Sequence, residues 1–195
     1  MKRIIILIAT SLLIATATAT AQTTTSQPVK DLEGEVSLGF NAAGQKLAGK
    51  NIIGVNLGLE LRHNFEKPFD IGVRFDQSFG GRVITEKFDV QTRSTTLQVF
   101  SDYNFRRGSN FAPFVGIGIG YIGASNVYDY SFDYDNTQNF QDQRMHSAIC
   151  TPRVGIEFYN RFRFTMSYGI TKANYQNFRL TLGICIGGGR LNKNK

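Results

Sequence analysis

The chain has little of the hydrophobic length that a bundle of membrane-spanning helices requires. Its 195 residues have a mean hydropathy of −0.19, and the only strongly hydrophobic block lies within residues 1–21. The apolar run in that block is shorter than the roughly 20 residues that cross a bilayer as a helix. This shortage excludes a bundle of membrane-spanning helices and leaves an N-terminal anchor helix only as the lesser alternative for this block. The length is that of a single domain.

Motifs for common chemistry are also scarce. The Gly-rich run GIGIGYIG at 116–123 alternates small and large residues as a strand does, whereas a phosphate-binding loop needs a strand-to-helix turn. No cysteine stands directly after the N-terminal apolar run, which excludes a lipoprotein signal. The two histidines, His63 and His146, lie far apart in the chain.

The first 21 residues have the three parts of a secretory signal peptide. Lys2 and Arg3 form a basic start, IIILIATSLLI is a short apolar core, and an Ala-x-Ala sequence ends at Ala21. We expect export and cleavage after Ala21, which takes the net charge from +7 to +5 by removing Lys2 and Arg3. Residues 22–31 are polar and aperiodic, which predicts a flexible N-terminal segment.

The clearest structural signal is the alternation of apolar with charged or small residues in 151–170. Because successive side chains of a strand point to opposite faces, this alternation predicts a β-hairpin with one apolar face and one polar face. Phe158 and Phe162 share a face only if the turn holds an odd number of residues. The simplest turn contains Tyr159, Asn160 and Arg161.

The same period recurs along the chain and predicts eight strands. Their expected ranges are 32–41, 52–63, 70–79, 90–105, 111–123, 151–158, 162–171 and 177–187. Short connections at 64–69, 106–110 and 159–161 alternate with longer ones at 41–51, 80–89, 124–144 and 172–176. An even number of strands joined in this way is typical of an outer-membrane barrel. We predict an all-β fold, an eight-stranded antiparallel up-and-down transmembrane β-barrel over 32–188, followed by a tail at 189–195.

Alternation alone does not show which face points outward, because a soluble barrel would hide its apolar face inside. The apolar face carries too many large side chains for an eight-stranded barrel, whose interior is only just wide enough for ordinary side chains. The other face carries glycines and charges of both signs, as a narrow polar lumen requires. We call the charged residues of that face the lumen charge network: Glu33, Glu35, Glu60, Arg62, Arg74, Asp76, Asp102, Arg153, Glu157, Arg163 and Arg179. Aromatic residues near the strand ends, Tyr175 among them, predict two interfacial girdles.

On this pattern the chain resembles small outer-membrane β-barrels such as the OmpA transmembrane domain and OmpX, within the porin-like families. The resemblance covers about residues 32–188 and implies an integral protein of a Gram-negative outer membrane with both termini in the periplasm. It also implies a plugged polar lumen and no wide channel. The expected partners are outer-membrane lipid and an extracellular ligand or protein at the 124–144 loop. No nucleic-acid partner is expected, and the protein is expected to be a monomer.

We find no catalytic, cofactor-binding or metal-binding candidate in the sequence. Outer-membrane lipid deacylases pair a His with a Ser on the lipid face of one strand, whereas His146 and Ser147 are adjacent and point to opposite faces. The acidic residues of the longest loop lack the spacing of a Ca²⁺ site; they are Asp129, Asp133, Asp135 and Asp142. We expect a structural or interaction role without enzyme activity. A narrow passive pore for small solutes is the alternative, and a lipid-modifying enzyme is a more remote one.

Two cysteines in an exported chain raise the question of a disulfide. Cys150 has the parity of the lipid face and Cys185 that of the lumen, so a bridge is disfavoured unless Pro152 marks a bulge that changes the register.

By the same parity, we expect Gly58→Ser on the lumen face to be tolerated far better than an arginine in place of Leu57 on the lipid face.

The mature protein is expected to begin at Gln22 and to reside in the outer membrane. Mass spectrometry of the folded, membrane-extracted protein measures the N-terminus directly. A folded species that still carries Met1 would contradict this prediction.

Overall fold

The computed structural model describes residues 30–45, 51–65, 68–85, 88–105, 110–130, 141–172 and 175–187, and every regular element in them is a strand. The strands are β1 (Leu32–Gln45), β2 (Asn51–Asn64), β3 (Phe69–Thr85), β4 (Phe88–Asn104), β5 (Phe111–Tyr130), β6 (Gln141–Phe158), β7 (Phe162–Thr171) and β8 (Tyr175–Ile186). Within these ranges no helix is long and apolar enough to span a membrane. The predicted signal peptide at 1–21, most of the segment 22–31 and the tail at 189–195 lie outside the described residues.

The eight strands form one closed barrel in which each strand pairs with the next. β1 closes the barrel by pairing antiparallel with β8, from Gly34 opposite Ile186 to Gln45 opposite Tyr175. Closure gives partners to the backbone N–H and C=O groups of both strands, which hydrocarbon would otherwise leave unpaired. The predicted fold class is therefore confirmed.

Burial alternates along the strands with a period of two residues. Leu57 and Ile184 point outward and are 49% and 55% exposed, whereas Arg163 and Arg179 point into the lumen and are 0% and 1% exposed. β7 follows this rule as far as Ile170, with each inward residue buried between two more exposed neighbours. The prediction that the apolar face points outward is confirmed.

The tight turn between β6 and β7 also agrees with the sequence. Phe158 pairs with Phe162, which leaves the three predicted residues 159–161 in the turn. Tyr159 and Asn160 both have a φ of 53°, in the left-handed region that asparagine tolerates and tyrosine rarely adopts. The backbone N–H of Arg161 donates to the carbonyl oxygen of Phe158 at 3.0 Å.

Three connections that the sequence predicts to be long are mostly strand. β1 continues to Gln45 and β2 begins at Asn51, inside the predicted connection 41–51. β3 ends at Thr85 and β4 begins at Phe88, inside the predicted connection 80–89. Likewise, β5 and β6 extend well into the predicted irregular segment 124–144. These three predictions were wrong because a strand that projects beyond the bilayer has no lipid-facing side. Its sequence then needs no apolar alternation, although its backbone still pairs.

The barrel consequently has two unlike ends. The turn end carries the connections 65–68, 105–110 and 159–161, and the loop end carries 46–50, 86–87, 131–140 and 172–174. β5 has 20 residues. A strand needs only about 9–11 residues to cross a bilayer, so β5 is long enough to project beyond it.

An arginine in place of Leu57 is expected to lower the free energy of unfolding by about 2–4 kcal/mol, because an outward charge near the bilayer midplane loses its hydration. Leu57 lies at the middle of β2. The matched control is Leu32→Arg, at the turn end of β1, which should cost only about 0–1 kcal/mol because interfacial charges stay hydrated. Urea unfolding in lipid vesicles measures both values, and equal costs would show that depth in the membrane does not govern them.

Candidate functional site

The candidate site is the barrel interior, where the structure places all eleven residues of the lumen charge network on inward positions. Ten of them are buried, and Glu157 at the turn end is the partly exposed member. Sequence reasoning missed one further inward acid. Asp70 is 1% exposed and accepts a hydrogen bond of 2.7 Å from Nδ2 of Asn104.

Glu60 lies at the centre of the network. One of its carboxylate oxygens lies 3.0 Å from Nη1 of Arg62, and the other lies 3.0 Å from Nη1 of both Arg74 and Arg153. Arg62 shares the inward face of β2 with Glu60, and Arg74 is the residue opposite Glu60 on β3. Arg153 comes from β6, on the other side of the barrel, so these ion pairs cross the bore.

Arg62 organises the turn end of the lumen. Its guanidinium lies 2.7 Å from Glu33, 3.4 Å from Glu35 and 3.6 Å from Glu157. Nη2 of Arg62 also donates to Sγ of Cys185 at 3.1 Å. This one cation therefore contacts carboxylates from β1, β2 and β6 and the thiol of β8.

A second set of ion pairs surrounds Asp76 and Asp102. Asp76 contacts Arg74 at 2.9 Å and Arg179 at 2.7 Å. Asp102 contacts Arg163 and, at 3.2 Å, Nε of Arg153. Arg74 and Arg153 each contact Glu60 as well, so both sets belong to one continuous network.

Closure of the barrel sets β1, which carries Glu33 and Glu35, beside β8, which carries Arg179. The register of β1 against β8 sets Asn41 opposite Arg179 and Cys185 opposite Glu35. Arg179 therefore reaches Asp76 on β3 instead of the β1 acids. Sequence parity gave the correct strand and face, but the stagger of β1 and β8 decides which residues meet.

Two phenylalanines inside the lumen support the arginines. Phe100 and Phe114 are 2% and 0% exposed. The guanidinium carbon of Arg153 lies 4.2 Å from the centroid of the Phe100 ring, and that of Arg163 lies 3.6 Å from the Phe114 ring. Desolvated cation–π contacts of this kind contribute about 2 kcal/mol each. Phe100 departs from the alternation of β4, and this departure was the sequence signal from which an aromatic side chain in the lumen could have been predicted.

A small apolar cluster fills the lumen nearer the loop end. It contains Ala43, Ile122, Ala124, Ile149 and Tyr175, with Met145 packed against it. The expectation that Tyr175 belongs to an interfacial girdle was wrong. Tyr175 has the inward parity of Asn177 and Arg179, is 1% exposed, and its hydroxyl bonds to Ser94 at 3.1 Å.

The cysteines and histidines lie where parity predicts. Cys150 faces outward on β6 and Cys185 faces inward on β8, and both are free thiols. The β6–β7 register is the same on both sides of Pro152, so no bulge alters it. His63 packs against Phe65 at the turn end, whereas His146 stacks on Tyr121 towards the loop end, with a ring distance of 5.9 Å.

One group of side chains has the composition of a metal site. Ligand atoms of Glu33, Glu157 and Cys185 lie within 4.8 Å of one another. The guanidinium of Arg62 contacts all three residues. Arg62 therefore already supplies a cation that offsets the charge of the two carboxylates. Of the acidic loop residues, Asp133 and Asp135 lie outside the described residues, and the side chains of Asp129 and Asp142 are not described either.

The fold and the polar interior define an integral outer-membrane barrel, and comparison with known proteins gives the same class. Residues 7–187 match the family model of the outer membrane protein beta-barrel domain, so the chain belongs to that family. Membership makes it an integral protein of a Gram-negative outer membrane. A search of curated proteins finds no match.

Solved structures with a similar fold include two bacterial surface proteins. Neisserial surface protein A has a TM-score of 0.57 and 12% identity, over 83% of this chain and 99% of that one. The attachment invasion locus protein Ail of Yersinia pestis has a TM-score of 0.50 and 15% identity, over 80% and 99% of the two chains. At such low identity the likeness extends to the fold alone.

Gly58 lies on the inward face, close to members of the lumen charge network. A Cβ atom at Gly58 would lie 2.5 Å from Oγ of Ser37, 2.7 Å from Nη2 of Arg74 and 2.9 Å from Oδ1 of Asp76. All three atoms are ends of side chains, so Gly58→Ser requires only that these side chains shift. The lower cost of Gly58→Ser than of an arginine at Leu57 stays a prediction.

Replacing Arg62 by methionine is expected to lower the free energy of unfolding by about 3–5 kcal/mol, because buried carboxylates lose their shared cation. Urea unfolding in lipid vesicles measures the change. The control is Arg161→Met in the exposed β6–β7 turn, which removes the same charge and should change stability by no more than about 0.5 kcal/mol. Similar effects at both positions would contradict a structural role for the Arg62 cluster.

Proposed function

We propose that the protein is a closed barrel whose lumen is plugged by the lumen charge network, and that it acts as a structural or interaction protein through its outer surface. The observation that carries this proposal is the convergence of Arg62, Arg74 and Arg153 on Glu60. These side chains come from both sides of the bore and meet within it. Long paired side chains in so narrow an interior leave little space for a solute.

Electrostatics favours a persistent plug. An isolated ion in a poorly hydrated interior costs several kcal/mol, so Glu60 and its arginines are far more stable paired than apart. The stacking of Arg153 on Phe100 restricts the guanidinium further. The apolar cluster around Ile122 and Tyr175 gives the lumen a second barrier nearer the loop end.

The orientation follows the general arrangement of such barrels, with short turns in the periplasm and longer extensions outside. We infer that the turn end and both termini are periplasmic and that the loop end is extracellular. β5 and β6, which flank the connection 131–140, are the longest strands of the barrel. A ligand or protein partner would then bind within 124–144, and the barrel would function as a monomer.

A narrow pore is the second candidate, and the middle of the lumen supports it. Between the charged and apolar layers, buried polar atoms of Asn41, Thr151 and Asn177 have no hydrogen-bond partner within the protein. Buried polar groups of this kind are normally satisfied by ordered water. With Asp70, the described lumen contains seven acids and five arginines, so such a pore would favour cations.

Conductance in a planar bilayer distinguishes the two functions. We expect negligible steady current from the wild-type protein and more channel activity from Glu60→Ala and Arg153→Ala, because each removes a side chain that crosses the bore. Arg161→Ala shortens a side chain outside the lumen, so this variant should show as little current as the wild type. Large, stable single-channel steps from the wild-type protein would overturn the plugged barrel and favour the pore.

A further inference from the structure

Arg179 of β8 is the least neutralised arginine of the lumen. It is 1% exposed, and its one ion pair within the described residues joins Nη1 to Asp76 at 2.7 Å. Each of the other four lumen arginines contacts at least two acids. Asp76 also contacts Arg74 at 2.9 Å, so one carboxylate serves two guanidinium groups. A guanidinium stays protonated in proteins, so Arg179 cannot lose its charge on burial.

The unpaired part of Arg179 is one complete edge of its guanidinium group. Nε and Nη2 are both buried and donate to no group of the described residues. The N–H groups of this edge point in the same direction and form the fork with which arginine binds an anion through two hydrogen bonds. Buried donors without an acceptor are costly. The fork therefore indicates a ligand that accepts hydrogen bonds and carries negative charge.

Uncharged polar side chains surround this fork on both sides of β8. Asn41 of β1 and Ser167 of β7 each lie opposite Arg179. Thr151 of β6 lies one inward step towards the loop end from Arg153, which pairs with Ser167. The Thr151 hydroxyl is buried and has no hydrogen-bond partner in the described part of the chain. Hydroxyl and amide groups can donate to an anion without adding negative charge.

The level of Arg179 is closed off on both sides. Towards the turn end, Glu60 and its arginines span the bore, and three further acids gather around Arg62 beyond them. Towards the loop end, Tyr175 lies two inward steps along β8, and its hydroxyl bonds to Ser94 of β4 at 3.1 Å. A site enclosed in this way favours a small ion, whose charge is screened less than in bulk water.

We propose that the Nε–Nη2 edge of Arg179 binds a halide-sized monovalent anion, such as chloride, inside the lumen. The hydroxyls of Thr151 and Ser167 would supply further donors. Ordered water would satisfy the hydrogen bonds of the fork, whereas an anion also balances the charge that Arg179 and Arg74 leave over when they share Asp76. The site is distinct from the plug, which depends on Glu60, and it fits a closed barrel and a narrow pore equally.

The dependence of stability on halide concentration tests the site. The full mature protein is refolded into lipid vesicles and unfolded with urea at constant ionic strength, while sodium bromide progressively replaces sodium sulfate. An ion that binds only the folded barrel raises the folding equilibrium constant about tenfold for each tenfold rise in its concentration above the dissociation constant. We expect this dependence in the wild type and none in Arg179→Met, which lacks the fork. A flat response of the wild type would overturn the proposal.

Two further variants separate the fork from its charge. Arg161→Met removes an exposed arginine outside the lumen and should keep the full bromide dependence, and its loss there would indicate a non-specific salt effect and overturn the proposal. Arg179→Lys keeps the charge that pairs with Asp76 but has no fork, so it should need about tenfold more bromide. Equal dependence in the wild type and in folded Arg179→Lys would contradict the fork. Heat-modifiable migration on a gel verifies that each variant is folded.

A crystal grown in sodium bromide locates the ion. We expect an anomalous-scattering peak beside Nε and Nη2 of Arg179, on the side of the Thr151 hydroxyl. Ordered water alone at this position, or bromide bound only on the outside of the barrel as an adventitious ion, would overturn the proposal. Neither the crystal nor the unfolding measurement depends on conductance, so this site and the plugged barrel can fail separately.

Discussion

The need to pair every backbone polar group within hydrocarbon determines most of this structure. An unpaired N–H or C=O group in lipid costs several kcal/mol, and strands can meet that demand only by closing into a barrel. The pairing of β1 with β8 provides the closure. With eight strands the bore is narrow, and alternation directs half of the side chains into it. The other half must be apolar, because it faces the membrane.

The narrow bore explains why the charges are paired, but stability alone does not explain why they are present. Buried ion pairs are often no more stabilising than well-packed apolar groups, although breaking one is costly. Their effect here is on specificity. A register slip of one residue would turn inward residues such as Arg62, Arg163 and Arg179 towards lipid, where each arginine costs about 2–4 kcal/mol at the midplane. The lumen charge network therefore fixes which face is inside for every strand except β5, which carries none of its members.

Parity within the sequence was sufficient to predict the strand number and the two faces, and it placed the eleven residues of the lumen charge network inward while missing Asp70. It could not predict which charges meet, because ion pairs such as Glu60 with Arg153 depend on the stagger and curvature of the closed barrel. It also misplaced Tyr175, since an aromatic residue at a strand end fits either a girdle or a capped lumen. The strand ends of β3 to β6 were missed because alternation fades where a strand projects beyond the bilayer.

The inward glycines complete this picture, because a bore of fixed width must provide space for each long side chain. A Cβ atom at Gly183 would collide with the carboxylate of Glu35 on the adjacent β1, and one at Gly155 would collide with the ring of Phe114 on the adjacent β5. Glu35 and Phe114 thus each lie over a glycine of a neighbouring strand. The run GIGIGYIG shows the same packing. Its inward glycines, Gly116, Gly118 and Gly120, leave space for the inward side chains of Asp102 and Gln98 on the adjacent β4. Glycine placement and charge placement are two parts of one packing solution, so a change in either alone should disrupt the lumen.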